Sequence, residues 1–399
     1  MKSSYDILGN HIRLVDERNG KLLSERVLGI NIDKFFMPSV ANVIGTDLSK
    51  YKLITQGRFA CNPMHVGRDE RLPVALYTDS SPAIVSPAYF MFEITDKTVL
   101  NDEFLMMWFR RPEFDRICWL KTDGSVRGGI SWDDICRIEV PVLPYDEQLR
   151  IVQSYKAITE RIELKRKIND NLATTIKTIF KSWFLDFDAV KDMEFVQSQY
   201  GLIPQSWHYK LLGDLCECVT KGTTPTTLGK DFTDSGINFI KGESINDDHS
   251  FNKALFAHID EETDKLLRRS RILENDIVFT IAGTLGKFAL VDSSVVPANT
   301  NQAVAIIRTS KITPEMLYSY FIGEWQVEFY KKNTQQAVQA NLSLTTIKDL
   351  PILLPDKESQ QRYMNLVEPF IKAMRTNFAE VERLSELQIQ LLTRLSSSC

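Results

Sequence analysis

The sequence predicts an α+β fold: two mixed α/β domains in tandem repeat, separated by two long antiparallel coiled-coil helices with pseudo-two-fold symmetry. Three observations lead there. The chain resembles itself at an offset of 212 residues, two glycine-free stretches carry one apolar 4-3 spacing at that same offset, and short β-branched and aromatic runs fill the segments before each of them. At 399 residues, with 43% hydrophobic and 25% charged residues, the chain has room for two medium-sized domains, each with its own core.

The repeat is the first element to justify, because a fixed internal period decides the architecture. LNDEFLMMWF (100–109) falls on ITPEMLYSYF (312–321), and GGISWDDI (128–135) falls on ANLSLTTI (340–347). After compensating shifts in VPVLPYDEQLR and LPILLPDKESQQR, Gln148 and Arg150 land on Gln360 and Arg362. Upstream, YKLITQGRFA (51–60) resembles RILENDIVFT (271–280), and VSPAYFMFEI (85–94) resembles TNQAVAIIRT (300–309). The domains expected from this are 1–146 and 186–357, with helices near 100–118 and 312–331.

Spacer helices are expected over 147–185 and 358–399. In the first, the seam is Ile151, Tyr155, Ile158, Ile162, Lys165, Asn169, Leu172, Ile176, Ile179 and Trp183; in the second, it is Tyr363, Val367, Phe370, Met374, Asn377, Val381, Leu384, Gln388, Leu391 and Leu395. Eight of ten positions are apolar in each, so both helices carry one seam in one register. The first helix leads away from domain one and the second leads back from domain two, so packed seams must run antiparallel. Pro369 predicts a kink or a late start in the second helix.

The stretch IFKSWFLDFDAV (179–190) begins as seam at Ile179 and Trp183, with Phe180 the equivalent of Leu392, and continues as the passage into domain two through Phe184, Leu185 and Phe187. Asp186 and Asp188 read as solvated or capping carboxylates flanking a buried Phe187.

The loops between predicted strands hold the chemistry. In domain one, QGRFACNPMHVGRDER gathers Arg58, Asn62, His65, Arg68 and Arg71, and KTDGSVRGG adds Lys121, Ser125 and Arg127. Domain two offers Lys221, Thr223, Thr224, Thr226 and Lys230, then Lys241, Thr284 and Lys287, and finally Gln336, Gln339 and Asn341 within KKNTQQAVQAN. Arg and Lys suit guanine edges and phosphates, while Asn and Gln suit adenine edges. Polar basic loops are also how ordinary strand connections look; recurrence in both copies favours base reading. A helix of about 37 residues spans about 55 Å, against roughly 34 Å for one DNA turn. Two readers at its ends would reach two parts of a split site.

Charge limits how such binding would work. The net charge is −4, so attraction to phosphates must be local. Residues 147–182 carry eight Lys/Arg against four Asp/Glu, whereas 183–357 carry 17 against 23, which makes the first spacer helix the basic segment. A charged outer face of a coiled coil accounts for this equally well.

Other classes are not indicated. No apolar run approaches the roughly 20 residues of a membrane span, and the start MKSSYDILGNH has no apolar signal core, so a cytoplasmic protein is expected. The six cysteines lack CxxC spacing and read as reduced, buried thiols. Asn62-Pro63-Met64-His65 falls short of an adenine-methyltransferase loop, and Glu163-x-Lys165 of a nuclease motif. Neither Gly222–Lys230 nor Gly283–Lys287 meets phosphate-loop spacing, and five scattered histidines suggest no metal site. The chain reads as non-catalytic, with no cofactor of its own.

The segments IFKSWFLDFDAVKDMEF, YGLIPQSWHYKLLGDLCECVTKGTTPT and NDIVFTIAGTLGKFALVD, with the twin VPVLPYDEQLR and LPILLPDKESQQR blocks before long helices, resemble the DNA-specificity subunit of Type I restriction-modification systems. The resemblance implies two target-recognition domains that each read half of an interrupted double-stranded DNA site, with the helices as a ruler for the gap. It implies assembly with two methyltransferase subunits, which hold S-adenosylmethionine, and two restriction subunits that use ATP and Mg. Docking of the methyltransferase subunits then falls to the helical segments. Recognition loops vary most within such a family, so the base-contacting residues above rest on their chemistry alone.

Overall fold

The computed structural model describes residues 5–40, 45–64, 66–122, 128–327 and 342–397. Its contacts divide into two compact units: Met1–Glu163 with Glu382–Cys399, and Leu164–Val381. Each long helix contributes one part to each unit.

Unit one runs β1 (Tyr5–Ile7), β2 (Ile12–Leu14), β3 (Val27–Ile30), β4 (Phe36–Pro38), β5 (Lys52–Ile54), β6 (Phe59–Cys61), α1 (Val66–Asp69), β7 (Val74–Leu76), β8 (Ala83–Val85), β9 (Phe90–Ile94), α2 (Asp102–Phe109), α3 (Pro112–Leu120), α4 (Trp132–Cys136), β10 (Glu139–Pro141) and the start of α5 (Tyr145–Phe184). One sheet has the order β2-β9-β6-β7, and a second has β4-β3-β8-β5, in which β3 and β8 are parallel. β1 pairs with β10. The expected single helix near 100–118 is two, because Pro112 opens α3 at its first turn, where its missing N–H costs nothing.

Unit two follows the remainder of α5 with β11 (Phe195–Ser198), β12 (Gly201–Pro204), β13 (His208–Leu211), α6 (Leu212–Leu215), β14 (Cys216–Lys221), β15 (Ile237–Ile240), β16 (Ala257–Ile259), α7 (Glu261–Leu266), β17 (Ile277–Thr280), β18 (Phe288–Leu290), β19 (Ala298–Thr300), β20 (Val304–Thr309), α8 (Pro314–Ile322), α9 (Leu344–Lys348), β21 (Pro351–Leu354) and α10 (Lys357–Ser397). Its sheets are β14-β20-β17-β18 and β16-β15-β19, with β15 parallel to β19 and β13 paired to β21. This is the strand order of unit one. Where unit one has β5, Ile272 makes an isolated antiparallel bridge to Ala298; among the described residues the hairpin β11–β12 has no counterpart in unit one.

The repeat extends to single hydrogen bonds. Asn101 caps α2 through Glu103 N and Phe104 N, and Thr313 caps α8 through Met316 N. Ser131 and Ser343 cap α4 and α9 in the same way. Such caps satisfy first-turn N–H groups that no helix can satisfy itself.

The ends of the long helices are core members. In unit one, Val152 is buried with Leu395, and Ile151, Tyr155 and Leu392 pack against that core; Gln388 Nε2 donates to Thr159 Oγ1. In unit two, Ile176, Phe180, Trp183 and Phe184 join Tyr363, Val367, Ile371 and Met374 in one cluster with the sheet and α8. The pairing is antiparallel within each unit. The buried set departs from the expected seam: Phe180 and Ile371 are buried, while their predicted neighbours Ile179 and Phe370 are half-buried. A broad partner surface, rather than a single facing helix, widens the buried stripe. Of the other expected seam residues, Ile162 is buried, and Ile158, Leu172, Val381, Leu384 and Leu391 are half-buried.

Three expectations need correction. α10 runs unbroken from Lys357 to Ser397 through Pro369, so it does not start late; Asp356 Oδ1 takes Ser359 N at 2.9 Å and opens the helix upstream of the proline. Phe187 is half-buried rather than buried, with φ +59°, and packs against the unit-two core with Leu185. Of the cysteines, Cys61 and Cys118 are buried free thiols, but Cys136, Cys216 and Cys218 are half-buried, and Cys399 lies outside the described residues.

Phe180 is the test of this packing. It is fully buried, lies 4.8 Å from Phe184 and 5.0 Å from Tyr320 between ring centroids, and fills the space over Gly323, where a Cβ would sit 2.2 Å from its ring. Phe180→Ala should lower unfolding free energy by about 3–5 kcal/mol in denaturant titration.

Candidate nucleic-acid interface

In unit two the strand directions bring the nominated loops to one end of the sheets. Lys221 pairs with Ala305, Thr280 with Val304, and Ile240 with Thr300. The segments after β14 and β15, the β17–β18 loop and the β19–β20 turn therefore emerge together. Their contacts are direct: Gly222 N donates to Asn301 O at 3.1 Å, Thr300 Oγ1 to Ile240 O at 2.7 Å, and Thr224 Oγ1 to Gln302 Oε1 at 2.6 Å. Gly222 is required by this closeness, because a Cβ there would lie 1.7 Å from Thr300 O. Lys287 N donates to Thr280 Oγ1 at 2.9 Å, which anchors the far side of the β17–β18 loop.

Lys221 and Thr284 are exposed on this end, while Thr223, Thr224, Lys230, Lys241 and Lys287 are half-buried. Most of the lysines have acidic company. Lys230 Nζ lies 2.9 Å from Glu262, whose hydrogen bond raises its pKa, and Lys287 Nζ lies 2.9 Å from Asp247. Lys241 Nζ is 4.0 Å from Glu243 and sits over the Phe232 ring at 4.8 Å.

In unit one the loop 62–71 meets the loop 121–130. Gly67 N donates to Gly128 O at 2.9 Å and Ile130 N to Pro63 O at 3.2 Å. A Cβ on Gly129 would come within 2.9 Å of Pro63 O, so this contact also needs glycine. Asn62 Oδ1 accepts from Met64 N at 3.1 Å, which spends one face of the amide on the turn. Exposed Arg68 pairs with Asp69 at 2.6 Å and exposed Arg71 with Asp33 at 3.4 Å; Lys121 is half-buried at the end of α3. Arg58 stands apart from them, at the other end of β6 from Asn62, held by Glu17 at 2.7 Å and Glu93 at 3.4 Å. His65, Arg127, Gln336, Gln339 and Asn341 lie outside the described residues.

The topology also supplies residues that sequence reading missed. The turn Asn301–Ala303 sits among the unit-two loops, and its exposed Gln302 was hidden in what reads as the start of a strand. Unit one's β2–β3 segment, 15–26, is the counterpart of 222–236. It escaped notice because Asp16, Glu17 and Glu25 dilute its basic residues.

Among the described residues there is no group of three His, Cys, Asp or Glu placed to hold a metal ion, and no helix is long and apolar enough to cross a membrane. What the loops present is lysine, arginine, amide and hydroxyl groups on rigid strand ends, the donor set for phosphate and base edges.

Comparison with known proteins places this arrangement. Residues 204–385 match the family described as "Type I restriction modification DNA specificity domain". The specificity subunit of the Type I restriction enzyme HindI from Haemophilus influenzae is 23% identical over 433 aligned residues, covering 91% of both chains. The MjaIX specificity subunit from Methanocaldococcus jannaschii is 22% identical, covering 76% of this chain and 70% of its own. The crystal structure of a Type I restriction-modification system S subunit from M. genitalium shares the fold with a TM-score of 0.51 at 14% identity, covering 98% of this chain and 95% of that one. With a specificity domain matched in its second copy and a specificity subunit aligned along nine-tenths of it, the chain is similar to the specificity subunits of Type I restriction-modification systems.

Proposed function

We propose that the chain is the non-catalytic specificity subunit of a Type I restriction-modification complex, that it reads a bipartite, interrupted DNA site with its two repeated units, and that it docks methyltransferase subunits through its long helices. The observation that carries this reading is the repeated placement of basic loops. The β6–β7 and β17–β18 connections occupy the same place in two sheets of one strand order; the first presents Asn62, Arg68 and Arg71, and the second Thr284 and Lys287. A tandem pair of such readers suits a site in two parts.

In this reading unit two reads through Lys221, Thr223, Thr224, Lys230, Lys241, Thr284 and Lys287, and unit one through Asn62, Arg68, Arg71 and Lys121. Arg58 serves the sheet rather than the DNA, because Glu93 on β9 and Glu17 just after β2 hold its guanidinium. The chemistry belongs to the partners: S-adenosylmethionine and adenine methylation to two methyltransferase subunits, ATP and Mg to two restriction subunits. Leu164 and Leu366 in unit two, and Leu387 and Ile389 in unit one, are 43–64% exposed on the long helices, which supports partner contact through the helices.

Two measurements on the assembled complex test the reading, with the site first mapped by genome-wide detection of methylated adenines. Lys221→Ala with Lys287→Ala should weaken binding to the mapped duplex by about tenfold or more in fluorescence anisotropy at fixed salt, by loss of phosphate or base contacts. Equal affinity of the wild-type complex for mapped and scrambled duplexes would refute the reading. An insertion of about four residues, one helical turn, after Asn171 should lengthen the accepted gap or abolish assembly; methylation at an unchanged site would refute the ruler.

A further inference from the structure

We propose that Asp247 is an affinity-setting residue: its carboxylate occupies the Lys287 ammonium in the free protein and so competes with DNA for that cation. The inference rests on the DNA-reading role proposed above and names a regulator of that same face.

The pair is built for exchange. Lys287 is tied down by its backbone, through Thr280 Oγ1, and its Nζ reaches Asp247 Oδ1 at 2.9 Å. The Asp247 side chain is 88% exposed, whereas that of Lys287 is 21% exposed. A carboxylate so exposed contributes little to the fold, and an ion pair with one solvated member is weak.

The turn that carries Asp247 is nonetheless rigid. Asn246 N donates to Ser250 O at 2.9 Å, and Ser250 N to Asp248 Oδ1 at 3.0 Å. His249 adopts φ +69° and stacks its ring on Phe288 at 4.0 Å, with Tyr318 edge-on at 6.2 Å. Phe288 directly follows Lys287. The turn is therefore pinned beside the lysine by Asp247's neighbours, while Asp247 itself is left free of structural work. Burial lowers the His249 pKa, so the stacked ring stays neutral and adds no cation of its own to the face.

This arrangement sets affinity by competition. Any duplex that takes the Lys287 ammonium, by a phosphate or by a base acceptor, must first displace the Asp247 carboxylate, so the pair lowers the return from that one contact.

Wild type, Asp247→Asn, Lys287→Ala and the double variant, each assembled with methyltransferase subunits, should be titrated by anisotropy against the mapped duplex and a scrambled one at several salt concentrations. Asp247→Asn should leave the melting temperature unchanged, raise affinity for the scrambled duplex by about two- to five-fold, and steepen its salt slope by about 0.9, the value of one added phosphate contact. Affinity for the mapped duplex should rise by a similar factor. In the Lys287→Ala background the same substitution should have no effect. No gain from Asp247→Asn, or an equal gain without Lys287, overturns the inference while leaving the DNA-reading role standing. A wild-type complex that fails to separate the two duplexes overturns that role itself.

Discussion

The structure depends on the burial of both ends of each long helix in a globular core. Val152 on α5 and Leu395 on α10 are members of the unit-one core, although some 240 residues separate them in sequence. Ile176, Phe180 and Phe184 meet Tyr363 and Val367 in the unit-two core in the same way. Neither unit closes its core without a segment of both helices. Aromatic side chains of this size dominate core energetics, so the helix ends are held far more firmly than a solvated coiled coil alone would hold them.

Between these anchors the helices bury polar groups. Asn377 Nδ2 donates to Asn169 Oδ1 at 2.8 Å, Asn169 Nδ2 to Met374 O at 3.3 Å, and Lys165 Nζ reaches Asn377 Oδ1 at 2.9 Å and Glu380 at 2.7 Å. A fully bonded cluster of this kind stabilises little over apolar packing, but it penalises any pairing that leaves its members unmatched by about 1–3 kcal/mol per group. Lys165 and Asn377 are 212 residues apart, so they are equivalents in the repeat as well as partners in the pair. Two copies of one helix meeting antiparallel must bring one position against its own equivalent, and here that position is polar.

Much of this was legible in the residues, and the parts that were not have physical reasons. α2 and α8, α4 and α9, and α5 and α10 all begin 212 residues apart, the first two pairs with their caps, because packing against the helices admits no insertion there. Upstream the match drifts: β6 and β17 align only when Phe59 is set on Phe279, since loops at strand ends absorb length changes that the sheets ignore. The seam was offset by one residue at Phe180 because heptad counting assumes one partner helix, whereas a sheet and α8 also cover that side. Pro369 misled because a proline costs one hydrogen bond, which a helix buried on one face over 41 residues outweighs. For the candidate site, the loops could be named from composition. Their ion pairs could not, because Asp33, Glu262 and Asp247 are distant in sequence from Arg71, Lys230 and Lys287.

Those pairs give the net charge of −4 a physical meaning. A nucleic-acid binder that relied on its field would leave its cations open, gaining affinity and losing it steeply with salt. In this chain Arg68, Arg71, Lys230 and Lys287 each have a carboxylate within 3.4 Å. The cost of separating them falls on every duplex, while the reward depends on what the duplex offers in return. For the proposed DNA-reading role, a cost common to all duplexes cancels from the ratio of two affinities, so these pairs lower affinity and leave discrimination to the contacts each sequence offers.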